Sequence, residues 1–235
     1  MGRAFEYRKE RKFARWSKMA VQFTRIGKEI AMSVKTGGPD PDNNLRLRVA
    51  MQNARDVNMP KANVEAAIKR AISKDASDYQ EAVYEGYGPY GVAILVETAT
   101  DNTTRTVANV RFCFSKYGGA VGTSGSVDYM FERKAFFKID PTGLDLEELE
   151  LELIDSGLEE IIQDDDETIL QVGFTDYGAM QQALDDRNIP VISVDKERIP
   201  LTTVQVSEEQ REHVNKIIEK LEEDEDVQAV FHNMA

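Results

Sequence analysis

Tyr84–Lys134 reads YEGYGPYGVAILVETATDNTTRTVANVRFCFSKYGGAVGTSGSVDYMFERK, and its pattern predicts one strand–helix–strand unit. Gly86, Gly88, Pro89 and Gly91 form a turn cluster. Val92–Thr98 is then an apolar, β-branched run of strand length, ending at the polar Thr100-Asp101-Asn102 break. From Thr104 the residues Val107, Val110, Phe114 and Tyr117 recur at helical spacing until Gly118-Gly119 supplies the left-handed residue that ends a helix. After the Gly119–Gly125 loop, Val127, Tyr129 and Phe131 alternate with polar neighbours, the period of a half-buried strand.

Downstream, Ala135–Ile139 reads as a strand and Leu146–Ile154 as a helix closed by Gly157, although Leu149, Leu151 and Leu153 also alternate. Glu159–Gln163 and Thr168–Phe174 suggest a hairpin, Tyr177, Met180 and Leu184 a helix, and Val191–Asp195 a strand. That order is the ferredoxin-like plan. Beyond Pro200, a strand at Leu201–Val206, a helix opened by a Ser207–Gln210 capping box and a strand at Val227–His232 form a second half unit. Joined to the opening half, it completes another sheet. The class is therefore α+β: a helical domain (1–75), a discontinuous ferredoxin-like domain (76–134 plus 200–235), and a second ferredoxin-like domain (135–199) inserted in it.

Upstream the chain is of different character. The 235 residues carry a net charge of −13, yet the segment up to Asp75 holds 17 Lys and Arg against 8 Asp and Glu, while the remainder holds 12 against 34. A basic end on an acidic body can bind phosphates with one end only. Arg3, Arg8, Lys9, Arg11, Lys12, Arg15 and Lys18 surround Trp16 and other rings, a mixture suited to phosphates and stacked bases. Its plainer account is a solvated arm. Three amphipathic helices follow, with apolar stripes Phe23/Ile26/Ile30/Val34, Leu45/Val49/Ala50 and Val64/Ala67/Ile68/Ala71. Outside those stripes fall Arg25, Lys28 and Lys35, then Arg46, Arg48 and Arg55, then Lys61, Lys69 and Arg70. These cations are expected to form an exposed nucleic-acid face, with the acidic remainder standing clear of it.

Chemistry is poorly provided for. Gly118–Ser126 lacks the Gly-Lys-Ser/Thr of a phosphate loop and follows a helix instead of opening one; it reads as a connector, with Arg105 and Lys116 as the candidates for a phosphate contact. Asp164–Glu167 reads as a solvated turn, and His213 and His232 lie far apart with no third ligand pattern. Tyr129, Phe131, Phe136 and Phe137 read as core in preference to a base-stacking sheet. Cys113, alone in a helix, reads as a core side chain. No cofactor, metal or enzymatic activity is expected, and no apolar run suits a membrane span, so a cytoplasmic protein is expected.

The wording of the chain adds to this. EGYGP-x-GVAI, TDN-x-x-RTVA-x-VR, FSK-x-GG-x-x-GTSGSV and MFERK, with NMPKANVEAAIKRA at Asn58–Ala71 and DVQAVFHN at Asp226–Asn233, resemble the YebC/PmpR family, which includes a mitochondrial translational activator of cytochrome oxidase. The chain departs from it at Tyr90, where a second Gly is expected, and at the N-terminus, where Gly2–Tyr7 replaces a GHSKW opening. The resemblance implies a helical domain followed by two α/β domains, and either DNA-binding transcriptional regulation or action on the ribosome, through ribosomal RNA, in elongation past proline-rich stretches. A small-metabolite sensor using paired ferredoxin-like domains is the rival from another class.

Overall fold

The computed structural model describes residues 19–73, 76–164 and 167–235. Three helices come first: α1 (Met19–Gly37), α2 (Leu45–Asp56) and α3 (Lys61–Ala71). Asn44 sets the start of α2 by accepting from the Leu47 N–H, and its amide also donates to the Ser33 and Gly38 carbonyls at the end of α1. Pro60 precedes α3, where its missing donor costs nothing. Ile30, Val34, Leu47, Ala50, Ala54, Val64 and Ala67 close the core of this bundle, with α1 between the other two.

Next come β1 (Gln80–Tyr87), β2 (Ala93–Thr100), α4 (Thr103–Lys116), the two-residue β3 (Ala120–Val121) and β4 (Phe131–Ile139). They are followed by α5 (Leu146–Leu153), β5 (Leu158–Asp164), β6 (Glu167–Gly173), α6 (Tyr177–Asp186), β7 (Val191–Pro200), α7 (Glu208–Glu222) and β8 (Val227–His232). Two antiparallel sheets result, β3-β1-β2-β8 and β5-β6-β4-β7. The second has the ferredoxin-like arrangement expected. The first reaches the same spatial order by another chain route, because the strand beside β2 is β1, which precedes it, and not a strand after α4.

Three strand expectations are corrected. Val127–Glu132 is not a strand of the first sheet: Asp128–Met130 is a 3-10 turn, and Phe131 begins β4 of the second sheet. The sequence boundary at Lys134 thus falls inside one continuous strand. Leu201–Val206 contributes a single bridge, Val204 to Met234, and no strand. β1 takes the vacant place. It pairs with β2 along its full length, and Gly86 is needed there because a Cβ would meet the Ala120 carbonyl at 2.5 Å and Phe114 at 2.7 Å. Tyr90 sits at φ 65°, left-handed, a conformation that a glycine adopts without strain.

One face of the first sheet is covered by α4 and α7 through Val110, Cys113, Phe114, Val214, Ile217 and Leu221. On the other, Leu95 and Phe231 pack with Phe131 at the start of β4, so the two sheets share a seam. In the second sheet, Phe137, Leu170 and Val172 meet Leu149, Leu153, Met180 and Leu184 of α5 and α6, and Val49 of α2 joins them. Among the described residues no helix is long and apolar enough to cross a membrane.

Candidate nucleic-acid interface

The cations of the helical unit divide into two sets. Lys28 is buried, and its ammonium donates to the Ala99 and Glu225 carbonyls at 3.0 and 2.7 Å and to Asp226 Oδ1 at 2.8 Å. The other oxygen of Asp226 accepts from Arg105 at 2.6 Å, Thr106 at 2.8 Å and Thr100 at 3.1 Å. Burial alone would raise the Asp226 carboxyl; hydrogen bonds from Lys28, Arg105 and Thr106 and the Lys28 charge outweigh it and bring it down to about 2. Arg25 donates to the Glu222 carbonyl at the end of α7 and to the Val227 carbonyl, satisfying acceptors that a helix C-terminus leaves open. Lys35 pairs with Asp78, Arg46 with Glu29 and Glu81, and Arg48 with Asp185 of α6. The hydrogen bond to Glu29 chiefly holds the Arg46 guanidinium above its ordinary value.

Arg25, Lys28, Arg46 and Arg48 depart from the expected exposed face, whereas Lys35, paired with Asp78, stays exposed. Arg25, Lys28, Lys35, Arg46 and Arg48 hold the helical unit against the rest of the chain, because carboxylates and carbonyls of the later segments meet them. Arg105, itself exposed, has its guanidinium paired with Asp101 and Asp226.

The second set stays at the surface. Arg55, Lys61, Lys69 and Arg70 are exposed; among the described residues Lys61 has only Glu65 of its own helix at 3.7 Å, and Arg70 only the Ala66 carbonyl. Three of the four lie on α3, which packs on α1 through Val64 and Ala67 and turns its remaining surface outward. Lys116 is also exposed, lying over the rings of Phe112 and Tyr117. Arg3, Arg8, Lys9, Arg11, Lys12, Arg15, Trp16 and Lys18 lie outside the described residues.

The glycine loop has an occupant of its own. Glu85, buried beneath it, accepts from the backbone N–H of Gly125 at 2.6 Å, Val127 at 2.7 Å and Asp128 at 2.8 Å. Burial would raise this carboxyl, but those donors and the nearby Arg198 hold it below its ordinary value. The amides that would cradle a phosphate are therefore spent on an internal anion. Of the aromatic set, Phe131, Phe136 and Phe137 are core, whereas Tyr129 is exposed.

Asn53 plays a part that periodicity does not suggest. Its amide donates to the Val194 carbonyl and accepts from the Val194 N–H, both at 2.8 Å, completing the outer edge of β7 as a neighbouring strand would. Arg198 ties β7 to the first sheet through Glu97 at 2.7 Å and to Asp128.

Fold and site together define a three-part α+β protein: a helical unit clamped onto two antiparallel sheets and turning one basic helix to solvent. The chain belongs to the TACO1/YebC family, matching the model of the TACO1/YebC N-terminal domain over residues 3–74 and that of the second and third domain over 79–234. It is 59% identical to a "probable transcriptional regulatory protein" of Parabacteroides distasonis, spanning 100% of this chain and 97% of that one. It is likewise 59% identical to one of Cytophaga hutchinsonii, spanning 100% and 99%. The crystal structure of a conserved hypothetical protein from Aquifex aeolicus superposes with a TM-score of 0.77 at 34% identity, covering 93% of this chain and 90% of that one.

Proposed function

We propose that the protein is a non-enzymatic, DNA-binding transcriptional regulator that grips phosphates with the outward face of α3, Arg55 and the basic segment 1–18. The observation that carries this reading is the division of the cations. Where the later domains supply carboxylates, the helical unit's charges are consumed as ties; on α3, Lys61, Lys69 and Arg70 face solvent with one carboxylate, Glu65, among them. Such a surface supplies the sequence-independent part of nucleic-acid affinity, and the acidic body keeps the rest of the molecule off the polyanion. The names of the relatives from Parabacteroides and Cytophaga support a regulatory role.

Crosslinking in cells, followed by sequencing of what is bound, tests this reading. Discrete promoter fragments are the expected result. Ribosomal RNA fragments would move the activity to translation, and an absence of enriched nucleic acid would contradict the class.

A further inference from the structure

Helix α5 leaves two large aliphatic side chains in solvent. Its sequence, LEELELEL, buries Leu149 and Leu153 against the second sheet, while Leu151 is 74% exposed and Ile154, just past its end, is 54% exposed. Glu147, Leu151 and Ile154 recur at the spacing of one helical stripe. The surroundings are anionic. Glu147, Glu148, Glu150 and Asp155 are exposed, and among the described residues none of them has an ion-pair partner, since Arg187 is taken by Glu152 and Lys134 by Glu132 and Glu159. The chain from Ile139 to Asp186 contains no Lys or Arg that would answer them locally. Beside the stripe a hollow of about 320 Å³ opens between α5 and β5, lined by Leu146, Glu147, Glu150, Ile161 and Gln163. This face thus joins exposed apolar surface to unanswered negative charge.

We propose that the α5 face docks a second copy of this chain, which presents the closing end of its own α3. That end carries the complement. Lys61, Lys69 and Ile72 follow one another at helical spacing with Arg70 beside them, and among the described residues Lys69 and Arg70 have no carboxylate partner. Ile72, at the close of the helix, is 61% exposed. A phosphate grip gains nothing from an exposed isoleucine, whereas a hollow edged by Leu146, Ile161 and two carboxylates matches an isoleucine flanked by cations. The partner's Ile72 enters that hollow, and the partner's Lys69 and the partner's Arg70 meet Glu147 and Glu150. Aliphatic burial supplies the affinity, and the opposed charges set the register and speed the encounter. Both faces are exposed within one chain, so they do not answer each other there, and the contact joins unlike faces of two copies. Its cations are the ones assigned above to phosphates, so self-association and nucleic acid compete for one surface; the docking itself does not depend on nucleic-acid binding.

The test is sedimentation velocity of the full chain over a concentration series, repeated on Lys69→Glu/Arg70→Glu, on Glu150→Lys/Asp155→Lys and on Ile72→Gln. Glu147 and Glu148 are left in place because acids in a first turn support the helix. At low ionic strength the parent should form larger species as its concentration rises, and it should return to monomer near about 1 M salt, where the screening length is about 3 Å. Each variant should associate at least tenfold more weakly while keeping a cooperative melt. An equimolar mixture of the two charge-reversed variants should associate again, because the intact face of each meets the intact face of the other and the two reversed faces also match. Failure of a duplex oligonucleotide to bind the monomer would count against the nucleic-acid reading alone. A parent that stays monomeric throughout, parental association in any of the three variants, or a mixture that stays monomeric would overturn the proposal. Association lost in Glu150→Lys/Asp155→Lys but kept in Lys69→Glu/Arg70→Glu would give the α5 face to another basic segment, 1–18 included, and so overturn the pairing with α3.

Discussion

Single residues carry more of this structure than their neighbours in sequence reveal. Lys28 falls outside the apolar stripe of α1 and so reads as solvated, yet it is met by Asp226, almost two hundred positions away. No local pattern encodes that meeting. Removing one partner of such a buried pair leaves the other uncompensated, so Lys28→Met should cost about 3–5 kcal/mol in denaturant unfolding. Folding lowers the Asp226 carboxyl to about 2 from an ordinary value near 4, so its contribution, about 2 kcal/mol, is complete above pH ~4 and is lost as the pH falls toward 2. Stability measured across that window should drop more steeply in the parent than in Asp226→Asn. Glu85 is equally hidden: it stands just before the Gly86–Gly91 turn cluster, and nothing near it in sequence points to the loop at Gly125 and Val127. Glu85→Gln keeps the shape but loses the charge that three backbone donors face, and should destabilise by about 2–3 kcal/mol, with faster amide exchange at Gly125, Val127 and Asp128 as the local reading.

Among the elements, helices are the more legible. The Ser207–Gln210 capping box, the apolar spacing of α4 and the closing Gly157 all mark real boundaries, because caps and periodicity are local. Strands are obscure where pairing, not pattern, decides. Gln80–Tyr87 carries charges and a glycine, Gly86, that reads as turn, and becomes a strand because β2 offers it an edge. Leu201–Val206 has the β-branched composition but only one bridge to Met234. Helix α2 shows a further limit: its Leu47, Ala50 and Ala54 serve the helical core while Val49 serves the second sheet, so a single stripe describes only half of its burial. Asn53, between these faces, completes the edge of β7. Asn53→Ala should cost about 1–3 kcal/mol and raise hydrogen exchange at Val194, whereas Asn53→Asp, which can accept but not donate, should recover only the bond from the Val194 N–H.

Across the whole molecule, the opposition of a basic beginning and an acidic remainder is plain in the sequence, and its meaning is not. Charge counting suggests two surfaces kept apart. Instead Arg25, Lys28, Lys35, Arg46 and Arg48 draw the halves together, so part of the asymmetry is the adhesive of the assembly, and among the described cations of α1, α2 and α3 only Arg55, Lys61, Lys69 and Arg70 stay outside it. Domain orientation follows from these long-range ties, which no local pattern encodes. Two kinds of cation substitution should therefore separate cleanly. The most direct measurement is the salt dependence of DNA affinity in Lys61→Ala/Lys69→Ala/Arg70→Ala, set beside Arg48→Ala. The α3 variant should keep the parental melting temperature while its slope of log affinity against log salt falls by roughly one for each phosphate that its side chains no longer neutralise. Arg48→Ala should lose stability and keep the slope. A parental slope in the α3 variant, or a flattened one in Arg48→Ala, would contradict the division of the cations into ties and grip.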